Sequence, residues 1–352
     1  MGRGAHSLAA LHFYDFEDMN IKGVAKLAGV STATVSRVLN KTAPVDARTE
    51  RRVRKAIESS GYFPNTHARM LGSAKSQTYG LIISDIANPF FPELVKSFEH
   101  LAVDHSHEVL IGNTDYHPER MEQCVRRMLE HKVAGVAIMT SEMDPELVLM
   151  LSQRKIPIVF LDTGKAGPLT SNISIDYQHG IDLAIDHLTA LRHRRIAFIQ
   201  GPVKFKSAVI RRDAFISSLK RDGIETGEDL IRTGNHSIDG GRRAMDELLA
   251  LKNRPTAVMC SNDLTAIGAL MAAHIAGLRV PEDISVVGFD DIELSSLMHP
   301  QITTIRVSRT EIATRAFTAL YGATNKAAPR GINYIIPTEL IVRQSTGPSS
   351  NR

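Results

Sequence analysis

Seven short apolar runs, spread over residues 80–289 and separated by longer segments of helical character, constrain this chain more than any other feature. They are Gly80-Leu81-Ile82-Ile83, Glu108-Val109-Leu110-Ile111, Gly135-Val136-Ala137-Ile138, Pro157-Ile158-Val159-Phe160-Leu161, Arg195-Ile196-Ala197-Phe198-Ile199, Ala257-Val258-Met259-Cys260 and Ile284-Ser285-Val286-Val287-Gly288-Phe289. Runs that are apolar throughout, rather than alternating, are what strands covered by helices on both faces require. A strand-then-helix rhythm of this kind predicts parallel, doubly wound α/β sheets, and seven runs are too many for one small sheet. With 352 residues the chain is long enough for two or three compact units, and residues 1–76 lie outside the rhythm.

The leading segment differs in charge as well. Residues 1–75 hold 12 Lys+Arg against 6 Asp+Glu, which leaves 30 against 32 in the rest of the chain. A basic head of this kind attracts polyanions through salt-dependent contacts. Within it, Ile21, Val24, Leu27 and Ala28 predict one apolar face of a short helix, and Gly29 permits the sharp turn after it. Ser31 can cap a second helix, whose Val35, Val38 and Leu39 close on the first. A third helix is expected from near Asp46 through Val53, Ala56 and Ile57 to Gly61. Three short helices on one small core predict a helix-turn-helix domain whose second helix can enter the major groove.

The run Asn20-Ile21-Lys22-Gly23-Val24-Ala25-Lys26-Leu27-Ala28-Gly29-Val30-Ser31-Thr32-Ala33-Thr34-Val35-Ser36-Arg37-Val38-Leu39-Asn40 closely resembles the DNA-binding head of the lactose repressor and galactose repressor family of bacterial transcription regulators. The resemblance implies DNA contacts from Asn20, Thr32, Ala33, Thr34, Ser36, Arg37 and Asn40. Thr32, Ala33 and Arg37 would face base edges, while Thr34, Ser36 and Asn40 would lie near phosphates or the groove wall. Arg37 suits guanine, because its guanidinium can donate twice to O6 and N7. Gly23 stands where relatives carry an acid, which removes a favourable charge from the first turn. The segment from Pro64 to Gly72 resembles the family's hinge helix, with Ala68 and Leu71 at the minor groove and Leu71 as an apolar wedge between base pairs.

The resemblance extends from about residue 19 to 345 and implies a body of two doubly wound subdomains, joined by three crossovers around a cleft, of the periplasmic-binding-protein type. The expected division is an N-terminal extension over 1–18, a helix-turn-helix domain over 19–63, a hinge and linker over 64–76, an effector-binding and dimerisation body over 77–347 and a tail over 348–352. Open α/β sheets place ligands just beyond their strand ends. The segments Asp85-Ile86-Ala87-Asn88-Pro89-Phe90-Phe91, Cys260-Ser261-Asn262-Asp263 and Val286-Val287-Gly288-Phe289-Asp290-Asp291 match the family there, and Arg211 matches the Arg that relatives turn on their effector. The expected effector set is Asn88, Phe90, Phe160, Asp162, Arg211, Asn262 and Asp290, with Asp263 and Asp291 in structural roles. Asp162, Arg211, Asn262 and Asp290 supply acceptors and donors for the vicinal hydroxyls of a sugar, and Phe90 or Phe160 a face for its ring. Purine-binding relatives use the same positions, so the ligand chemistry stays open at this point. Two departures bear on it: Val307 follows Thr303-Thr304-Ile305-Arg306 where relatives often have a Gln nearby, and Arg192 replaces a common Gly.

Other classes fit less well. No apolar run approaches the roughly 18 residues of a membrane helix, and no secretion signal is read in residues 1–18. Cys124 and Cys260 make no disulfide framework, which points to a reducing cytoplasm and, for a DNA-binding protein, to the bacterial nucleoid. No glycine-rich phosphate loop, nucleophile elbow or metal-spaced His/Cys set is present, so neither an enzyme nor a cofactor or metal is expected. The short polar tail after Arg343 carries no leucine heptad, which favours a homodimer reading a near-palindromic operator over a tetramer.

Overall fold

A computed structural model describes residues 20–40, 43–62, 76–140, 144–162, 164–225, 227–325 and 331–349, with Asn40 described by its backbone alone. These fall into two compact units whose boundary lies between Lys75 and Ser76.

In the first unit, helices α1 (Ile21–Ala28), α2 (Thr32–Asn40) and α3 (Ala47–Ser60) pack on a core of Val24, Ala25, Ala28, Val35, Val38, Val53 and Ala56. Each boundary has a local cause. Asn20 accepts from the amides of Lys22 and Gly23 at 3.0 and 3.2 Å, Ser31 Oγ accepts from Thr34 N at 3.2 Å, and Asp46 accepts from Arg48 N and Thr49 N at 3.0 Å. Gly29 and Gly61 end α1 and α3 at φ 59° and 61°, the left-handed region that glycine enters without strain. One expectation is corrected here: Leu27 is 59% exposed, and Ala25 takes its place in the core. Residues 21, 24, 25 and 28 share a face at helical spacing, and Leu27 lies round the cylinder from it. The α1–α2 turn is further pinned by Arg52 of α3, whose Nη2 donates to the carbonyls of Ala28 and Gly29 at 2.8 and 3.1 Å.

The second unit holds two six-stranded sheets. The first comprises β1 (Thr78–Ile83), β2 (Glu108–Asn113), β3 (Gly135–Met139), β4 (Ile158–Leu161), β5 (Thr170–Ile175) and β11 (Asn333–Ile336), in the order β11-β5-β4-β3-β1-β2. The second comprises β6 (Ile196–Gln200), β7 (Ile231–Thr233), β8 (Ala257–Cys260), β9 (Ser285–Asp290), β10 (Thr303–Val307) and β12 (Thr338–Ile341), in the order β12-β10-β9-β8-β6-β7. All pairings are parallel except β10 with β12.

The helices are α4 (Phe90–Asp104), α5 (Pro118–Glu130), α6 (Pro145–Gln153), α7 (Tyr177–Ala190), α8 (Lys206–Arg221), α9 (Ile238–Leu249), α10 (Asp263–Ile275), α11 (Glu293–Leu297) and α12 (Arg309–Asn325). The seven apolar runs are β1, β2, β3, β4, β6, β8 and β9. The chain passes between the sheets three times: from β5 through α7 to β6, from β10 through α12 to β11, and from β11 directly to β12. These passages are tied together, since Asp176 N donates to Ile336 O at 3.0 Å and Thr338 Oγ1 to Asp176 O at 2.9 Å. Gly180 lets α7 lie close over this junction, as a Cβ there would stand 2.6 Å from Ile305 Cγ2 and 2.7 Å from Thr338 Oγ1.

Candidate effector cleft and DNA-binding head

The strand ends of both sheets converge on one cavity of about 590 Å³, counted to its open mouth. Asn88, Phe90, Asp162, Arg211, Asn262 and Asp290 all line it. Phe160 does not: it is 4% exposed and packs with Met121, Val125 and Leu147 in the core on the other side of the first sheet. Strand alternation is the reason, because Phe160 points with Ile158 to that core while Leu161, its neighbour, lines the cavity.

Arg211 is the centre of the site. It projects from α8, is 9% exposed, and donates from Nη1 to Ser261 O at 2.7 Å. Its guanidinium carbon lies 4.9 Å from the ring centroid of Tyr177 and 4.5 Å from that of Phe289, a cation held against two aromatic faces. Burial works against its charge, but Tyr177, Asp290 and Asp162 hold its pKa above the ordinary value. Its Nε is buried without a hydrogen-bond partner. The adjacent Arg212 is half-buried and pairs with Asp213 at 2.7 Å, so of the two arginines it is Arg211 that enters the cavity.

Asp162 follows β4 with φ 61°, and its carboxylate accepts from Ile175 N at 2.9 Å and from the Tyr177 hydroxyl at 2.6 Å. Burial raises its pKa, with those two donors and Arg211 acting in the opposite direction. Asp290 ends β9 at φ 109°, and burial pushes it up to about 6 against the pull of Arg211 and Arg309. The backbone there is held by Arg309, which donates to the carbonyls of Asp290 and Asp291 and from Nε to Glu93 at 2.7 Å.

Asn88 and Asn262 line the cavity mainly as frame. Asn88 Oδ1 accepts from Phe90 N at 3.1 Å. Asn262 caps α10 through Thr265 N at 3.0 Å and donates to His236 O at 3.1 Å. The neighbouring acids are wholly structural: Asp263 accepts from Ile292 N at 2.8 Å and from the Thr304 hydroxyl, and Asp291 accepts from Arg306 and Arg343 at 2.7 and 2.6 Å.

Several wall residues are not among those expected from the sequence, namely Tyr116, Tyr177, Phe205 and His236, although they follow the ends of β2, β5, β6 and β7. Tyr177 was within reach of sequence reasoning as an aromatic at the first position of a helix, directly after Asp176. His236 is pushed down to about 3 by burial, with Arg211 adding to the effect, and so presents a neutral ring. Among the described residues no group of three His, Cys, Asp or Glu is placed to hold a metal ion.

In the head, α2 presents Thr32, Ala33 and Arg37 as exposed side chains, while Thr34 and Ser36 are half-buried. Asn20 serves as the α1 cap described above. Asn40 belongs to α2, and Ala68 and Leu71 lie outside the described residues.

Comparison with known proteins agrees with this architecture. Residues 20–65 match the lacI family of bacterial regulatory proteins, and residues 185–346 match a periplasmic binding protein-like domain. The chain is 34% identical over 327 residues to the HTH-type transcriptional repressor PurR of Pasteurella multocida (strain Pm70), covering 92% of this chain and 98% of that protein. A crystal structure of the lac repressor dimer bound to operator and the anti-inducer ONPF superposes with a TM-score of 0.84 at 30% identity, covering 93% of this chain and 99% of the other. A complex of the transcriptional regulator CelR with cellobiose superposes with a TM-score of 0.70 at 27% identity, covering 93% and 99%. With a helix-turn-helix head, a cleft between two parallel sheets and relatives aligned over nearly their full length, the chain belongs to the lacI family: it is a DNA-binding transcription regulator with an effector-binding domain, not an enzyme.

Proposed function

We propose that this regulator is a homodimeric repressor that reads a near-palindromic operator and is controlled by a sugar-type effector in the cleft. The observation that carries the effector assignment is the buried, unpartnered Nε of Arg211 in a cavity whose walls also hold the carboxylates of Asp162 and Asp290. A donor that has lost its water without gaining a partner is costly unless a ligand supplies the acceptor. Hydroxyls on adjacent ring carbons both donate and accept, so they suit one cation between two carboxylates, and Phe90 and Leu161 add apolar surface to the same wall. The cellobiose complex of the CelR relative supports the same class.

Operator reading is assigned to α2, with Thr32, Ala33 and Arg37 at base edges and Asn20, Thr34, Ser36 and Asn40 toward the backbone, and to Ala68 and Leu71 in the minor groove. The dimeric lac repressor supports two heads on two half-sites. Met271 and Ile275, 44% and 71% exposed one turn apart on α10, supply an apolar face for a second copy. Effector binding would change the relation between the two sheets and so the grip on DNA, with a coupling of about 1–3 kcal/mol.

The test is selection of an operator from a random duplex pool by the full-length protein. Fluorescence anisotropy on the winner follows, with and without D-ribose, D-galactose, cellobiose and hypoxanthine. A symmetric site whose affinity shifts with one of the sugars supports the reading; a response to hypoxanthine alone would reassign the effector, and no enriched site would overturn operator reading.

A further inference from the structure

Three rings of the cavity wall form a column that bridges the two lobes. Tyr116, between β2 and α5, belongs to the lobe of the first sheet, and its ring stacks on Phe205 of the second lobe with centroids 5.0 Å apart and planes at 25°. Phe205 also lies parallel to His236, within 6° at 6.1 Å, and Lys204 Nζ stands 5.1 Å from its ring centroid. Phe205 itself is 3% exposed, so a side chain in the loop before α8 is buried largely between rings.

The backbone is bent to produce this column. Asp115 and Tyr116 have φ 52° and 59°, and His236 has φ 62°, left-handed conformations that cost a side-chain-bearing residue on the order of 1 kcal/mol each. Such strain persists only where the surroundings enforce it, and it gathers at ligand clamps. Arg120 holds the first turn by donating to Asp115 at 3.0 Å. His236 is seated over Gly201, where a Cβ would stand 2.1 Å from Nε2, and its Nδ1 lies 3.3 Å from Ser261 Oγ. A neutral imidazole, as burial enforces, stacks as a flat ring rather than repelling the adjacent Arg211.

We propose that Tyr116 and Phe205, backed by His236, form an aromatic gate that ties the two lobes together beside the cavity and must part whenever the lobes separate. The gate rests on the reading of this cavity as the effector site, but it acts without ligand and is tested without one. Its rings come from opposite lobes, so separating the lobes breaks the Tyr116–Phe205 contact while leaving Phe205 on His236. The gate therefore sets how often the cavity opens and how readily any occupant leaves.

Acrylamide quenching of the full chain, with no effector added, reads the opening. Phe90→Trp places a reporter on the cavity wall beside Phe91, away from the three rings. Adding Tyr116→Ala should raise its quenching about threefold, the worth of an aromatic pair, and adding Tyr116→Phe should not. Because the chain contains no Trp, Phe205→Trp provides a single reporter at the gate. Adding Tyr116→Ala to it should raise acrylamide quenching about threefold, and adding Tyr116→Phe should not. If Tyr116→Ala raises quenching in Phe205→Trp alone and leaves that of Phe90→Trp as in its parent, the gate is overturned, whatever compound later proves to bind.

Discussion

Tyr177 donates its hydroxyl to Oδ2 of Asp162 at 2.6 Å, so the helix that carries the chain from the first sheet to the second begins with a side chain bonded back to the end of β4. The bond is charge-assisted and partly offsets the burial that raises the Asp162 pKa. Tyr177→Phe is therefore expected to destabilise the body by about 1.5–3 kcal/mol at neutral pH. The donor favours the ionised acid, so the penalty should shrink as pH falls and Asp162 takes up its proton. Urea unfolding of both proteins at two pH values checks this; an equal penalty at both would mean that Asp162 is not the partner that matters.

At Asp290 the linkage runs through the carboxyl itself. Its pKa in the folded protein is about 6, above the ordinary value of 3.8, so the native state holds this proton more tightly than the unfolded chain. Its contribution to stability is therefore fully present below the unfolded pKa and is lost as pH rises through about 6. Asp290→Asn cannot titrate. The difference in unfolding free energy between variant and parent should change across this window by up to about 3 kcal/mol, the two proteins diverging as pH rises. Parallel pH profiles would contradict the assignment.

At Arg37, truncation to Ala should weaken the selected operator by about 1–3 kcal/mol and relax preference at one base pair of each half-site. Loss of affinity that is uniform across sequences, with a reduced salt slope, would instead place Arg37 on phosphate.

Arg192 occupies a left-handed position, φ 67°, at the end of α7. The departure from glycine noted in the sequence thus carries a backbone cost. Arg192→Gly should stabilise the protein by about 0.5–1 kcal/mol, measured as a shift in the urea midpoint at constant slope. No gain would mean that the Arg side chain contributes as much as its backbone costs.

Much of this protein could be read locally. Continuous apolar runs declared seven strands because burial on both faces removes any need for polar alternation, and the caps at Asn20, Ser31 and Asp46 fixed the head because capping is a contact between near neighbours. The remaining five strands escaped for the converse reason. Thr170–Ile175 mixes Ser, Asn and Thr into β5, where Asn172 is spent on Gly164 N at 3.0 Å and Ser174 at 2.8 Å, while β11 and β12 are short edge strands with exposed residues.

The order of residues along the chain by itself determined the fold class, the head and six of the cleft-lining positions, since strand ends and motifs are properties of sequence neighbourhood. Tertiary structure alone decided the rest. The parity of β4 sends Leu161 rather than Phe160 to the cavity, and helical phase turns Leu27 outward and Ala25 inward. Tyr116 and Phe205 meet only because two sheets face one another, and Phe205 meets His236 because β6 and β7 are neighbours in one sheet. A side chain's neighbours across a cleft depend on the packing of whole lobes, and no local spacing encodes that.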